Sequence, residues 1–336
     1  MVDNYDYIQL LATKFAPTLE SLVANSLGPR FTGRLLFSDN NQPIVYPNLK
    51  TLDITGPWYG KCPDTLSTDK HFVPFPKLRY LRWGVAYIFV DDTLFRGNYD
   101  TLEYLYLLLD SDSFDNLRKC GVLSAGKFPK LTHISVDNHM YHTAQVASDL
   151  LTSTVFGMIT PTTRSLALEG NQILHQHIVN AIPASIYAEN IQVLSFGRTH
   201  LNADKMFEII RLLPRMTHFT CNPLNRDSKL DVQVNKPFPD WAYEKYYPLS
   251  TRLKCWVVVD TSIISIKFLV SLAIALAILC PNLSLVNIPN KCMDEYQREM
   301  NRVLGRRIYA KYAEDIKRLL YFELSTSRNS GNCYLQ

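Results

Sequence analysis

Asp110-Ser111-Asp112 directly follows the apolar run Leu105-Tyr-Leu-Leu-Leu109. Two carboxylates at i and i+2 after a strand can hold a divalent cation and, through it, a sugar nucleotide. A metal-dependent sugar-nucleotide enzyme centred on Asp110 and Asp112 is therefore the one catalytic alternative these residues offer. The same residues, with Ser113, also make an ordinary helix N-cap, and no dinucleotide-type pattern surrounds them. Gly121-Val-Leu-Ser-Ala-Gly126-Lys127 has the spacing of a phosphate loop, but Phe128 stands where a Ser or Thr would hold magnesium. Its context is reversed too, with a helix-like segment before it and a strand after. His139 and His142 are three apart; His175 and His177, two apart, would not share a helix face. Neither pair has a third ligand nearby. No G-x-S-x-G, H-E-x-x-H or G-x-G-x-x-G occurs. The residues point away from catalysis and call for no cofactor or metal.

Composition narrows the class further. Hydrophobic residues are 47% of the 336 and charged residues 20%, enough to bury a large core and too apolar for wholesale disorder. A net charge of +4 is far below what a dedicated nucleic-acid binder carries, so no nucleic-acid partner is expected. The seven cysteines are scattered, odd in number and never in a C-x-x-C pair. That pattern fits a reducing compartment, cytoplasmic or nuclear, better than a disulfide framework or a zinc module. The start, Met-Val-Asp-Asn-Tyr-Asp-Tyr, shows no secretory signal. Phe268–Cys280 is an uncharged apolar run of 13 residues. A bilayer span needs about twenty, so the run is expected to be a buried core helix, with no membrane attachment.

A repeat organises the chain. Phe75-Pro-Lys-Leu78 returns as Phe128-Pro-Lys-Leu131, each followed by hydrophobics three and five residues on. With that Leu as anchor, the pattern recurs at Leu49/Leu52/Ile54, Leu78/Leu81/Trp83, Leu102/Leu105/Leu107 and Leu131/Ile134/Val136. It continues, weakly at first, through Thr163/Leu166/Leu168, Ile191/Leu194/Phe196 and Met216/Phe219/Cys221. Leu253/Trp256/Val258 and Leu283/Val286/Ile288 complete it. An earlier candidate, Pro17-Thr-Leu19-Glu-Ser-Leu22, lacks a convincing third position. The anchors step by 24 to 37 residues. The last two hydrophobics have the strand period, so they enter one face while their neighbours face outward. Pro before the anchor marks a helix stop. Amphipathic helices are expected in several intervals, capped by Thr143, Asn202 and Ser262. One strand and one helix cannot bury an apolar edge alone, whereas stacked copies can.

In period and in the P-x-L-x-x-L-x-Φ core, residues 17–290 resemble leucine-rich-repeat proteins of the irregular, helix-containing type, related to ribonuclease inhibitor and the F-box leucine-rich-repeat adaptors. The family's Asn in the turn after the strand is mostly absent; Asn171 lies close to that position. Asp91–Leu105, D-D-T-L-F-R-G-N-Y-D-T-L-E-Y-L, is also similar to fungal proteins with F-box-like leucine-rich repeats. The resemblance implies an α/β leucine-rich-repeat solenoid (a horseshoe), with a parallel concave β-sheet and convex helices. It also implies a non-catalytic protein-interaction scaffold, in its narrower form substrate recognition for a ubiquitin ligase with a Skp1-type adaptor as partner. The helical F-box of about forty residues that such an adaptor carries is not seen, since the repeats begin within about twenty residues of Met1.

The expected organisation is residues 1–16 as an N-terminal cap or truncated segment, 17–290 as repeats, 291–324 as a helical cap and 325–336 as a flexible tail. Outward positions are the second and fourth after each anchor. In the first half they place Asp53, Tyr80, Arg82, Tyr104, Tyr106 and His133 on adjacent rungs, with Asp137 beside them. Tyr and Arg bury much area and keep a polar end, which suits an interface. Later rungs turn Cys255, Val257 and Val259 outward, an apolar stretch that needs cover. The insertion at 222–248, with Phe238, Trp241, Tyr243, Tyr246 and Tyr247, is expected to serve as a packed flap or a partner-binding loop.

Overall fold

A computed structural model describes residues 10, 12–25, 44–55, 71–84, 92–138, 148–169, 175–224, 247–262 and 264–304. The described chain divides into two compact units, residues 1–200 and 201–336.

Most rungs begin with a tight turn. The anchor N–H donates to the carbonyl three residues back, as in Leu78 to Phe75 at 3.3 Å and Leu131 to Phe128 at 3.1 Å. The same bond forms from Leu49 to Tyr46, Ile191 to Ala188, Met216 to Leu213 and Leu283 to Cys280. Proline at the second turn position (Pro47, Pro76, Pro129, Pro214 and Pro281) presets φ and gives up a donor the turn does not use. The Phe-Pro-Lys-Leu echo is this turn, with Phe75 and Phe128 buried at its first position. One residue past the anchor the chain joins its predecessor: Arg79 N–H donates to Lys50 O, Glu103 to Arg79 O, and Thr132 to Glu103 O, at 2.8–2.9 Å.

In the first unit these starts lead into parallel strands β1 (Ser21–Asn25), β2 (Thr51–Thr55), β3 (Tyr80–Gly84), β4 (Tyr104–Leu108), β5 (His133–Asp137), β6 (Ser165–Glu169) and β7 (Val193–Leu201, whose last residue belongs to the second unit). Each pairs with its sequence neighbour, and the second-position residues align as Ser21, Thr51, Tyr80, Tyr104, His133, Ser165 and Val193. β1 corrects the reading of Leu19: the rung closes with Ala24, too small to register as a hydrophobic third position. Helices α1 (Ser111–Lys119), α2 (Ser148–Gly157) and α3 (His175–Ala184) fill the later intervals.

The second unit stacks parallel β8 (His218–Pro223), β9 (Cys255–Val257) and β10 (Leu285–Asn287), with α4 (Ala203–Leu212), α5 (Ile266–Leu279) and α6 (Met293–Leu304). Every residue from Phe268 to Leu279 is buried, so the apolar run is core. Among the described residues no helix is long and apolar enough to cross a membrane. α6 buries Tyr296 and Met300 on the helical spacing of the capping segment.

Across nine rungs, the anchor and the third and fifth residues beyond it are at most 3% exposed. Within each unit the arrangement is that of an α/β leucine-rich-repeat solenoid. Thr163, the one polar anchor, is tolerated because its hydroxyl donates to Leu131 O (2.9 Å) and accepts from Thr160 N–H (3.0 Å). Two expected caps differ. Ser265, not Ser262, caps α5, accepting from Phe268 N–H at 3.2 Å; Asp260 holds the Ser262 N–H and hydroxyl at 2.8 and 2.9 Å and keeps that residue in a turn. Asn202 occupies the N-cap of α4 without a side-chain cap bond. Thr143 lies outside the described residues.

Candidate functional site

Asp110, Gly121 and His177 take structural roles. Asp110 is buried and its Oδ1 accepts from Ser113 N–H at 2.8 Å, so it caps α1 in the manner the competing reading describes. Among the described residues no group of three His, Cys, Asp or Glu side chains is placed to hold a metal ion. Gly121 belongs to the end of α1. Its φ is +73°, its N–H donates to Arg118 O, and Val122 N–H donates to Leu117 O, the paired bonds of a glycine C-terminal cap. His139 and His142 lie outside the described residues. His177 contacts Ser148 Oγ at 2.9 Å through Nδ1, bridging α3 to α2.

The outward side of β2–β5 is where large polar side chains gather. The strand period turns positions two and four outward, and the aligned register stacks like positions in rows 24 to 29 residues apart in sequence. In the second-position row, the Tyr80 and Tyr104 rings stack with centroids 4.1 Å apart and planes within 8°. His133 continues the row, tilted, 5.8 Å from Tyr104, with its Nδ1 2.7 Å from Thr132 Oγ1. In the fourth-position row, Arg82 lies 3.7 Å from Asp53 and over the Tyr106 ring at 5.3 Å. The Tyr106 hydroxyl donates to Asp137 at 3.4 Å. The structure thus brings all seven residues, Asp53, Tyr80, Arg82, Tyr104, Tyr106, His133 and Asp137, onto one sheet face.

Burial sets the electrostatics. It raises the Asp53 carboxyl above its ordinary range, and the Arg82 charge opposes this only in part. Asp53 Oδ1 is buried without a hydrogen bond. Burial also lowers the His133 pKa, so the ring is neutral near pH 7. Tyr106 is pushed up by burial and then by the charges of Asp137 and Glu169; Tyr104 and Tyr80 rise for the same first reason. All three stay protonated hydroxyls. Such a face offers rings, hydroxyl donors and carboxylates, with no activated nucleophile.

Sequence reasoning passed over Glu169. Gly197 on the next strand has no side chain, and the Glu169 carboxylate lies 3.1 Å from where a Cβ would stand. The glycine at the sixth position of that rung was the available signal.

In the second unit, Cys255 is buried while Val259 and Leu285 are 41% and 39% exposed. Asn222 Oδ1 accepts from Val259 and Asp260 N–H at 3.0 and 2.8 Å. Tyr247 is exposed. Phe238, Trp241, Tyr243 and Tyr246 lie outside the described residues.

A solved structure resembles this one. It is a leucine-rich-repeat-containing protein, LegL7, from Legionella pneumophila, similar over 88% of this chain and 94% of its own, with 13% identity and a TM-score of 0.47. No family model matches the chain, and no curated protein matches it. A likeness this distant carries no functional argument, and the face must be read from its own geometry.

Proposed function

We propose that the chain is a non-catalytic protein-recognition scaffold that binds a protein partner on the outward face of β2–β5. The supporting observation is the stacked Tyr80–Tyr104 pair continued by His133, beside Arg82 held between Asp53 and Tyr106. Rigid aromatic rings with polar ends give area and direction together, and they lose little conformational freedom on binding. The insertion at 222–248 is a second partner-contacting element in this reading. Its narrower form is substrate selection for a ubiquitin ligase in the cytoplasm or nucleus, which co-purification with a Skp1-type adaptor tests. Repeats at 17–290 carry the face, and 291–324 caps them.

Affinity purification with wild type and with Tyr80→Ala/Arg82→Ala/Tyr104→Ala/Tyr106→Ala tests the wider reading. Partners recovered by wild type are expected to fall at least about tenfold with the variant, given the cost of truncating clustered anchors. A matched melting profile would show that the variant is folded. Identical partner sets from two folded proteins would reject this face.

A further inference from the structure

Which partner chemistry this face selects follows from its charges. Among the described outward positions of β1–β7, Asp53, Asp137 and Glu169 are acidic and only Arg82 is basic, on a chain whose net charge is +4. Arg82 is already committed, 3.7 Å from Asp53 and over the Tyr106 ring. His133 adds no charge near neutral pH, because burial lowers its pKa. The cations at the strand entrances are engaged as well. Lys50 pairs with Glu20 at 2.8 Å, Arg79 with Glu103 at 3.8 Å, and Arg164 donates to the carbonyls of Pro161 and Thr163. The described outward side chains of β1–β7 therefore include more acids than bases, beside π surfaces, on a mildly basic chain.

Resting on the recognition reading above, we infer that the face takes an extended segment of a partner protein bearing arginine or lysine. A guanidinium or ammonium group can lie against the Tyr80–Tyr104 stack as Arg82 already lies against Tyr106, and be attracted by the acidic side chains flanking it. The intramolecular Asp53–Arg82–Tyr106 contact is a working example of that chemistry on the same surface.

The test is a random nonapeptide library displayed on phage, panned against the full chain and against Tyr80→Ala/Tyr104→Ala, with Tyr80→Phe/Tyr104→Phe as the variant that keeps the stacked rings and the fold. Peptides that bind wild type and the Phe variant, but bind the Ala variant about tenfold more weakly, are expected to be rich in Arg or Lys. Their affinity is expected to fall as salt rises and to weaken with Asp53→Asn. Face-dependent peptides that are acidic or uncharged would overturn the cationic occupant and leave the recognition face standing. Peptides that ignore both tyrosine variants would overturn the face itself.

Discussion

Asp53 is held at a cost to the fold. Its pKa is raised because burial disfavours the ionised form more than Arg82 favours it, so near neutral pH the charge works against folding. Asp53→Asn removes that charge and keeps the shape. The thermal midpoint of the variant is expected to equal or exceed that of wild type in a calorimetric scan; a clear drop would mean that the Arg82 pairing stabilises more than burial costs. His133 gives a pH-dependent counterpart. Its folded pKa lies below the ordinary 6.5 through burial, so below that pH the unfolded chain binds the proton more readily. Its contribution is present above the unfolded pKa and is lost as pH falls from there through the folded pKa. The urea midpoint is expected to fall between about pH 7.5 and about pH 5.5, and to fall less in His133→Asn. Equal slopes would remove His133 from the account. At this scale the sequence placed all seven side chains on one face, because the strand period fixes direction. It did not foresee the Tyr80–Tyr104 stacking or the reach of Tyr106 to Asp137, which depend on rotamers and on register between strands some 30 residues apart.

Helix ends show where local chemistry was legible and where it was not. Gly121 ends α1 in the left-handed region at φ +73° with both paired bonds made. Gly121→Ala is expected to cost ~1 kcal/mol, since a Cβ strains that conformation. Gly157 at the end of α2 has no left-handed φ, and nothing lies within 4 Å of where its Cβ would stand, so Gly157→Ala is expected to be neutral or slightly stabilising. Urea unfolding of the two variants separates the cases, and equal losses would contradict the cap. The Pro-before-anchor signal was strong because it marks a turn that recurs at most rungs. Cap positions were harder to read. Ser262 and Ser265 both precede the apolar helix within one turn, and the choice fell to Asp260, whose carboxylate captures Ser262. No periodicity carries that information.

The repeat is the strongest signal in the chain because burial enforces it at every copy. A rung that placed a charge at its anchor could not stack, and where a polar residue does occur, at Thr163, its neighbours satisfy it. Energetically such stacks behave as near-neighbour sums, so truncating one buried residue of a rung also weakens its interfaces with the adjacent rungs. Leu105→Ala, at a fully buried site, is expected to cost about 2–5 kcal/mol by urea unfolding, and a loss below ~1 kcal/mol would mean that β4 is not core. Function was less legible at this scale, because burial constrains the inward rows and leaves the outward residues without a periodic signal. Placing a photo-crosslinking p-benzoylphenylalanine at position 104, and separately at position 186, where Ile186 is 83% exposed on the turn after α3, tests those rows most directly. The partner recovered in the affinity experiment is predicted to crosslink from position 104 and not from 186. Crosslinking from 186 alone, with position 104 silent in a folded protein, would contradict the account.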